Sequence, residues 1–348
     1  MSSIQSLMQS SIWFPMRRRT RFSLLLMLAL MVALVVVLVL RKAAPPEAAR
    51  LLPESDAIVY ANLKPLRVAT HFERTQVTRS PDYQHFVDAT GIVPERDLDS
   101  AAFALHRMDD PNGPNGPVGY SEVFEGRFDG ERLARYLSSI ATAKENYAGH
   151  DIFTIPVGDG KETRPFRIAQ IEYDAIAASN MPTPEQIHSI LDRHRAAASP
   201  FAGSSLLSAR YRDVPAFSSA WAIGHIGLPF SDRGYISILG LRLPLPEDTT
   251  FVASLRFLGA LHLRIEQIAP TEADAAHATE TLTTLLAVLK SVEHAQMQMH
   301  PNTTTDASLL ELMNSAKIEQ HKDRAVLTAS IPLDLVKRLT TPSTEGRP

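Results

Sequence analysis

The chain has 348 residues, 45% of them hydrophobic, with no cysteine and a formal net charge of −3. The missing cysteines exclude disulfides, thiolate zinc sites, iron–sulfur clusters and a lipid-modified cysteine. Residues 1–42 hold six Lys/Arg and no Asp/Glu, so the rest carries 29 basic against 38 acidic residues, a net of −9, which argues against the basic face that nucleic-acid binding needs.

Residues 1–21 form a short N-terminal segment. Phe22 to Leu40 then runs 19 residues without a charge. At about 1.5 Å per residue such a helix spans roughly 28 Å, the hydrocarbon thickness of a bilayer. A cleaved signal has a shorter apolar core and small residues at its cut site; here Arg41, Lys42, Pro45 and Pro46 follow. The run is therefore expected to stay as a signal anchor in the lipid bilayer. Arg17, Arg18, Arg19 and Arg21 precede it and two cations follow, which predicts a cytoplasmic N-terminus and a periplasmic or otherwise extracytoplasmic C-terminal region.

Residues 41–52 read as a Pro/Ala linker. Ala57 to Leu63 reads as a buried strand after turn chemistry at Pro53 to Asp56. "SPDYQHFVDATG" predicts a helix with Ser80 as N-cap, Pro81 first and Gly91 as its stop. Ala101 to Arg107 and Val118 to Phe128 are expected strands around an exposed loop that contains Asp109 and Asp110. "DGERLARYLSSIAT" predicts an amphipathic helix capped by Asp129, with Leu133, Tyr136, Leu137 and Ile140 on one face. Short strands follow around "YAGHDIFTIP", then a strand pair in "FRIAQIEYDAIAASN". A helix over "TPEQIHSILDRH" is expected with Thr183 as N-cap and Pro184 first.

The second half repeats parts of this order. "AFSSAWAIGHI" reads as a strand, and Phe251 to Phe257 with Ala260 to Ile268 as a strand pair. A long helix runs from Thr271 to about Ala295, with Leu282, Leu285 and Leu289 expected in the core. "SAKIEQHKDRAVLTASIPLDLVKRL" mirrors "FRIAQIEYDAIAASNMPTPEQIHSIL" in its order of elements, which suggests duplication. The expected class is α+β: antiparallel sheets with helices packed on one face, two similar halves at 53–198 and 199–340, and a disordered tail at 341–348.

The stretches "LPESDAIVYANLKPLR", "FEGRFDGERLARYL" and "YAGHDIFTIP", together with the anchor, resemble uncharacterised bacterial single-pass, envelope-facing membrane proteins. The resemblance spans most of Leu51 to Arg195. It implies a fold and a location, and no catalytic residues.

Catalytic signatures are absent one by one. "VGDGKET" lacks the hydroxyl residue after Lys161 that a phosphate loop needs. "GYSEV" lacks the second glycine of a nucleophile elbow. His150 and Asp151 are strand neighbours on opposite faces, and His188 and His194 lie on nearly opposite sides of their helix. The cluster His294, Met297, Met299 and His300 offers two imidazoles and two thioethers, a set suited to copper. The competing reading is a helix end where methionine fills gaps and histidine meets the helix dipole, and this is the one adopted. No catalytic residue and no cofactor is expected. The expected role is a non-enzymatic, membrane-anchored envelope protein that binds an envelope partner or itself. The alternatives are a copper-binding envelope protein and a hydrolase whose site is assembled from distant residues.

Overall fold

The computed structural model describes residues 44–70, 80–113, 116–158, 163–196, 203–225, 235–238, 241–244, 249–257, 260–299, 307–332 and 335, with Met27, Leu30 and Met31 before them. Met1–Ala44 and Pro45–Pro348 are separate compact units. The expected anchor, Phe22 and Leu40 included, lies outside the described residues but for those three helical positions. Arg17, Arg18, Arg19, Arg21 and the 341–348 tail lie outside them too. Among the described residues no helix is long and apolar enough to cross a membrane.

The second unit is an α+β fold on a 12-stranded antiparallel sheet. It opens with α1 (Glu47–Leu51), β1 (Ala57–Asn62), α2 (Leu63–Thr70), α3 (Pro81–Thr90) and α4 (Pro94–Asp97). Then come β2 (Leu98–Arg107), β3 (Val118–Gly126), α5 (Gly130–Ile140), β4 (Ala143–Tyr147), β5 (His150–Val157), β6 (Arg164–Glu172), β7 (Ala175–Ser179) and α6 (Glu185–Arg195). The second half holds α7 (Ser205–Arg210), β8 (Ala220–His225), β9 (Tyr235–Ile238), β10 (Leu241–Pro244), β11 (Thr250–Phe257) and β12 (Leu261–Ile268). It closes with α8 (Glu272–Met299), α9 (Ala307–Ser315), β13 (Lys317–His321) and β14 (Arg324–Ile331). β9 and β10 form their own two-stranded hairpin.

Local chemistry accounts for the helix starts. Ser80 Oγ accepts from Tyr83 N, and Gly91 closes α3 in the left-handed region at φ 74°, a conformation that suits glycine. Asp129 caps α5 by accepting from Arg132 N. Thr271 caps α8 by accepting from Asp274 N at 3.1 Å while donating to the Asp274 carboxylate at 2.7 Å. α6 differs from its expected start. Pro184 sits at the cap without a side-chain bond, since proline carries no side-chain acceptor, and Thr183 outside it donates to Glu185, 3.3 Å away.

Sheet order is β13-β14-β12-β11-β8-β1-β2-β3-β7-β6-β5-β4. Counted outward from the central β1–β8 pair, one half reads 1-2-3-7-6 and the other 8-11-12-14-13. Each half places a helix, α5 or α8, between its third strand and its closing hairpin. The first half alone adds β5 and β4 beyond that hairpin.

Three expectations change. First, helices lie on both sheet faces. α1, α6 and α7 pack on the face of Ile58, Ala102, Val123 and Ile152, whereas α5 packs on Phe153 and Ile176. Ile152 and Phe153 are strand neighbours and so point to opposite faces. Second, the expected linker already belongs to the core from Glu47 on. Ala48, Ala49, Leu51 and Leu52 are buried, since a five-residue helix is enough to seat them over the sheet. Third, Leu282, Leu285 and Leu289 are only half-buried. α8 meets β13 and β14, and among the described residues the first half's β4–β5 wall has no counterpart beside it.

Candidate binding face

The ladders join one residue from each strand of the 12-stranded sheet into a single row: Ile318, Leu327, Ile265, Ala253, Ala222, Val59, Phe103, Glu122, Ala178, Ile168, Phe153, Lys144. Side chains alternate along a strand, so the whole row lies on one face. α5 covers one flank through Phe153 and Ile168. α8 covers the other, where Gln320 on that face donates to Glu272 O at 3.0 Å. Between the flanks, Val59, Phe103, Phe124, Ala222, Ala253, Leu263 and Ile265 stay half-exposed. The opposite face there is sealed: Ile58, Tyr60, Ala102, Trp221 and Ile223 are buried, with Tyr60 stacked on Trp221 at 5.5 Å. The open stretch spans six strands, β3 to β12 through the centre, about 24 Å at about 4.8 Å per strand.

Glu122 is the only carboxylate in the row. It is 9% exposed, opposite Phe103 and Ala178, with Tyr120 and Phe124 two positions away on its own face. Phe103 and Phe124 meet edge to face at 5.8 Å. Among the described residues no hydrogen-bond or ionic partner meets this carboxyl. Burial alone pushes it up to about 7, because removal from water disfavours the charged form. An unpartnered buried carboxyl within a half-exposed apolar surface has the features of a binding site.

The sequence-derived candidates fall elsewhere. His294, Met297 and Met299 sit on the last turns of α8; their side chains, and His300 entirely, lie outside what is described. Among the described residues no three His, Asp or Glu side chains are placed to hold a metal. His150 Nδ1 meets Gln170 O at 3.1 Å, while Asp151 pairs with Lys144 at 2.8 Å. His188 stacks on Tyr147 at 3.8 Å and His194 meets Glu172 at 2.8 Å. Asp109 and Asp110 are exposed.

One arrangement was not anticipated. His106 Nε2 lies 3.1 Å from Ser121 Oγ, which lies 3.2 Å from Ser179 Oγ. A histidine beside a serine is half of a nucleophile–base pair. Both serines are fully buried and His106 is 6% exposed, so no substrate carbonyl reaches the oxygen. Burial also holds the imidazole below its usual range. The three groups satisfy one another inside the core.

No protein family matches the chain, and no curated protein matches it. Among solved structures, crystal form III of TP0453 is similar at TM-score 0.47 and 12% identity, over 85% of this chain and 98% of that one. Crystal form I gives 0.43 and 9% over 86% and 98%. At such distances neither fold nor function passes from TP0453 to this chain.

Proposed function

We propose that Phe22 to Leu40 anchor this chain in a bacterial cytoplasmic membrane with its N-terminus inside, and that the region from Pro45 faces the envelope as a binding module rather than an enzyme. The reading rests on one observation: an apolar sheet face left half-exposed between two helices, with an unpartnered carboxyl in it. Its partner is an apolar helix of another envelope protein, carrying one Lys or Arg for Glu122. The same face already takes α5 at one flank and α8 at the other. A gap of about 24 Å admits a further helix of about 10 Å diameter with side chains. A cation brought to Glu122 restores the charged carboxylate that burial disfavours. The two halves, on this reading, descend from one duplicated unit; their matching strand orders and helix placement support it.

The test uses the full chain in detergent micelles and two synthetic amphipathic helices that differ by one Lys or Glu on the apolar face. The Lys helix should bind at least about tenfold more tightly, about 1.4 kcal/mol. Glu122→Gln should erase that preference, and Phe103→Asp should abolish both complexes. Equal affinities, or binding that survives Phe103→Asp, would refute the site. Concentration-dependent self-association lost in Phe103→Asp would replace the partner by a second copy. The anchor is tested separately: protease added outside should leave a membrane fragment of about 4–5 kDa, for a helix of about 20 residues and its flank. A soluble chain starting near Ala43 would sink it.

A further inference from the structure

On the sealed face, corresponding positions of the two halves hold very different chemistry. In the first half Ala104, Ser121, Ser179 and Arg167 form one row, with His106 two residues beyond Ala104. Counting outward in the second half, Ser254, Arg264, Thr328 and Lys317 form the matching row, with Arg256 two residues beyond Ser254. The first-half row is plugged. Its serines and His106 bond one another, and Arg167 donates to the carbonyls of Met181, Pro182 and Thr183 as the chain folds back over the sheet.

The second-half row is open. Arg256, Arg264, Lys317 and His262 line a cavity of about 420 Å³ together with the hydroxyls of Ser315, Thr328 and Ser330. Arg264 leans on Glu266 at 2.7 Å, and Glu266 is also held by Arg324 at 2.7 Å. Among the described residues Arg256 and Lys317 meet no acceptor, and no carboxylate lines the cavity. The two cations flank the cavity from β11 and β13, whose backbones stand three strand spacings or about 14 Å apart.

We propose that this cavity binds a phosphate group carried on a small molecule or a lipid headgroup. A carboxylate has two oxygens and occupies one guanidinium fork. Ser315 donates to the carbonyls of Leu312 and Ser330, and Ser330 Oγ lies 3.4 Å from His262 Nδ1, so Thr328 is the hydroxyl left for a ligand; a phosphate has enough oxygens to take it together with Arg256 and Lys317. The volume exceeds that of the bare ion and falls in the range of small-molecule sites, so the ligand carries a body beyond its phosphate.

The experiment follows the thermal midpoint of the full chain in detergent micelles against inorganic phosphate, glycerol 3-phosphate and phosphatidylglycerol vesicles, with acetate at equal ionic strength as control. A saturable rise with a phosphate probe and none with acetate is expected. Paired Arg256→Gln and Lys317→Gln should weaken binding at least about tenfold, and Thr328→Val severalfold, whereas paired Arg135→Gln and Lys144→Gln, an equal loss of charge elsewhere, should not. Preference for glycerol 3-phosphate identifies a soluble ligand, and preference for the vesicles a headgroup. No saturable response to any of the three probes, or a response retained in the paired variant, overturns the site.

Discussion

The halves share an order of strands and differ in how they close around their helices. α5 is sealed: Leu133 and Leu137 are 3% and 2% exposed against Phe153 and Ile176, with Phe86 of α3 behind. α8, at the same place in the order, has its leucines half-exposed and Val288 46% exposed. Beside α5 stands the hairpin β4–β5, which has no counterpart among the described residues of the second half. A strand order thus places a helix without deciding how deeply it is buried; the neighbours inserted beside it decide that.

The largest test concerns charge in place of apolar packing. On the sealed face, Val123 and Ala177 correspond by position to Glu266 and Val326, and Ala175 to Arg324. Arg324 joins Glu266 at 2.7 Å and Asp213 at 2.9 Å, and these partners raise its pKa further. Arg324→Ala should cost about 3 kcal/mol in denaturant unfolding, since it leaves the poorly hydrated Glu266 to Arg264 alone and Asp213 to Arg210 at 3.8 Å. A loss under about 1 kcal/mol would mean that water already reaches them.

Next comes the helix comparison itself. Leu137→Ala should cost about 2–5 kcal/mol, and Leu285→Ala about 1 kcal/mol, in proportion to its partial burial. Equal losses would erase the contrast between α5 and α8.

Glu122 supplies a pH test confined to one half, because its counterpart counting outward is Ile265. Its carboxyl moves from 4.5 to about 7 on folding. Between those pH values the folded chain keeps a proton that the unfolded chain has lost. The contribution of Glu122 to stability is therefore most favourable below about pH 4.5, falls as pH rises towards 7, and levels off above. The decline should be about 3 kcal/mol at most. Glu122→Gln should flatten it, and Glu122→Ile should leave the chain more stable at pH 8 than the wild type. A pH profile unchanged in Glu122→Gln would show the carboxylate to be hydrated.

The smallest effects are the caps, where the halves should agree. Asp129→Ala and Thr271→Ala should each cost about 1 kcal/mol, read as a shift in denaturant midpoint.

Much of the local order was legible. Ser80, Asp129 and Thr271 announce their helices because a cap is chemistry within four residues. The strand pairs show through alternation and turn residues. α1 reads as linker because five residues carry no periodicity, and the four-residue strands β9 and β10 are too short to announce themselves. The face that helices cover could not be read either, since it depends on contacts between distant strands. The same holds for Glu122. In "VGYSEVFEG" it is one polar residue among several; only Phe103 and Ala178, 19 and 56 positions away by number, make it a buried carboxyl. Arg256, His262, Arg264 and Lys317 come from three strands, so their shared cavity has no local signal in the sequence. The apolar stripe of α8 predicts a burial that β13 and β14 supply only in part.

The seam between the halves also sets a schedule. β1 has two hydrogen-bonded neighbours, β2 and β8, and Ala57 waits for Gly224, about 160 residues later in the chain. At about 5–20 residues per second, ribosomal synthesis leaves "AIVYAN" as an unpaired apolar edge for roughly 10–30 s. Such an edge is a template for pairing with other chains. A nascent or truncated product ending before Ala220 should therefore aggregate, while the complete sheet turns only its charged outer strands, "AKENY" and "KIEQH", towards neighbours. The central pairing that joins the halves is thus what makes the early half safe, and the chain reaches that safety only when most of it has been made.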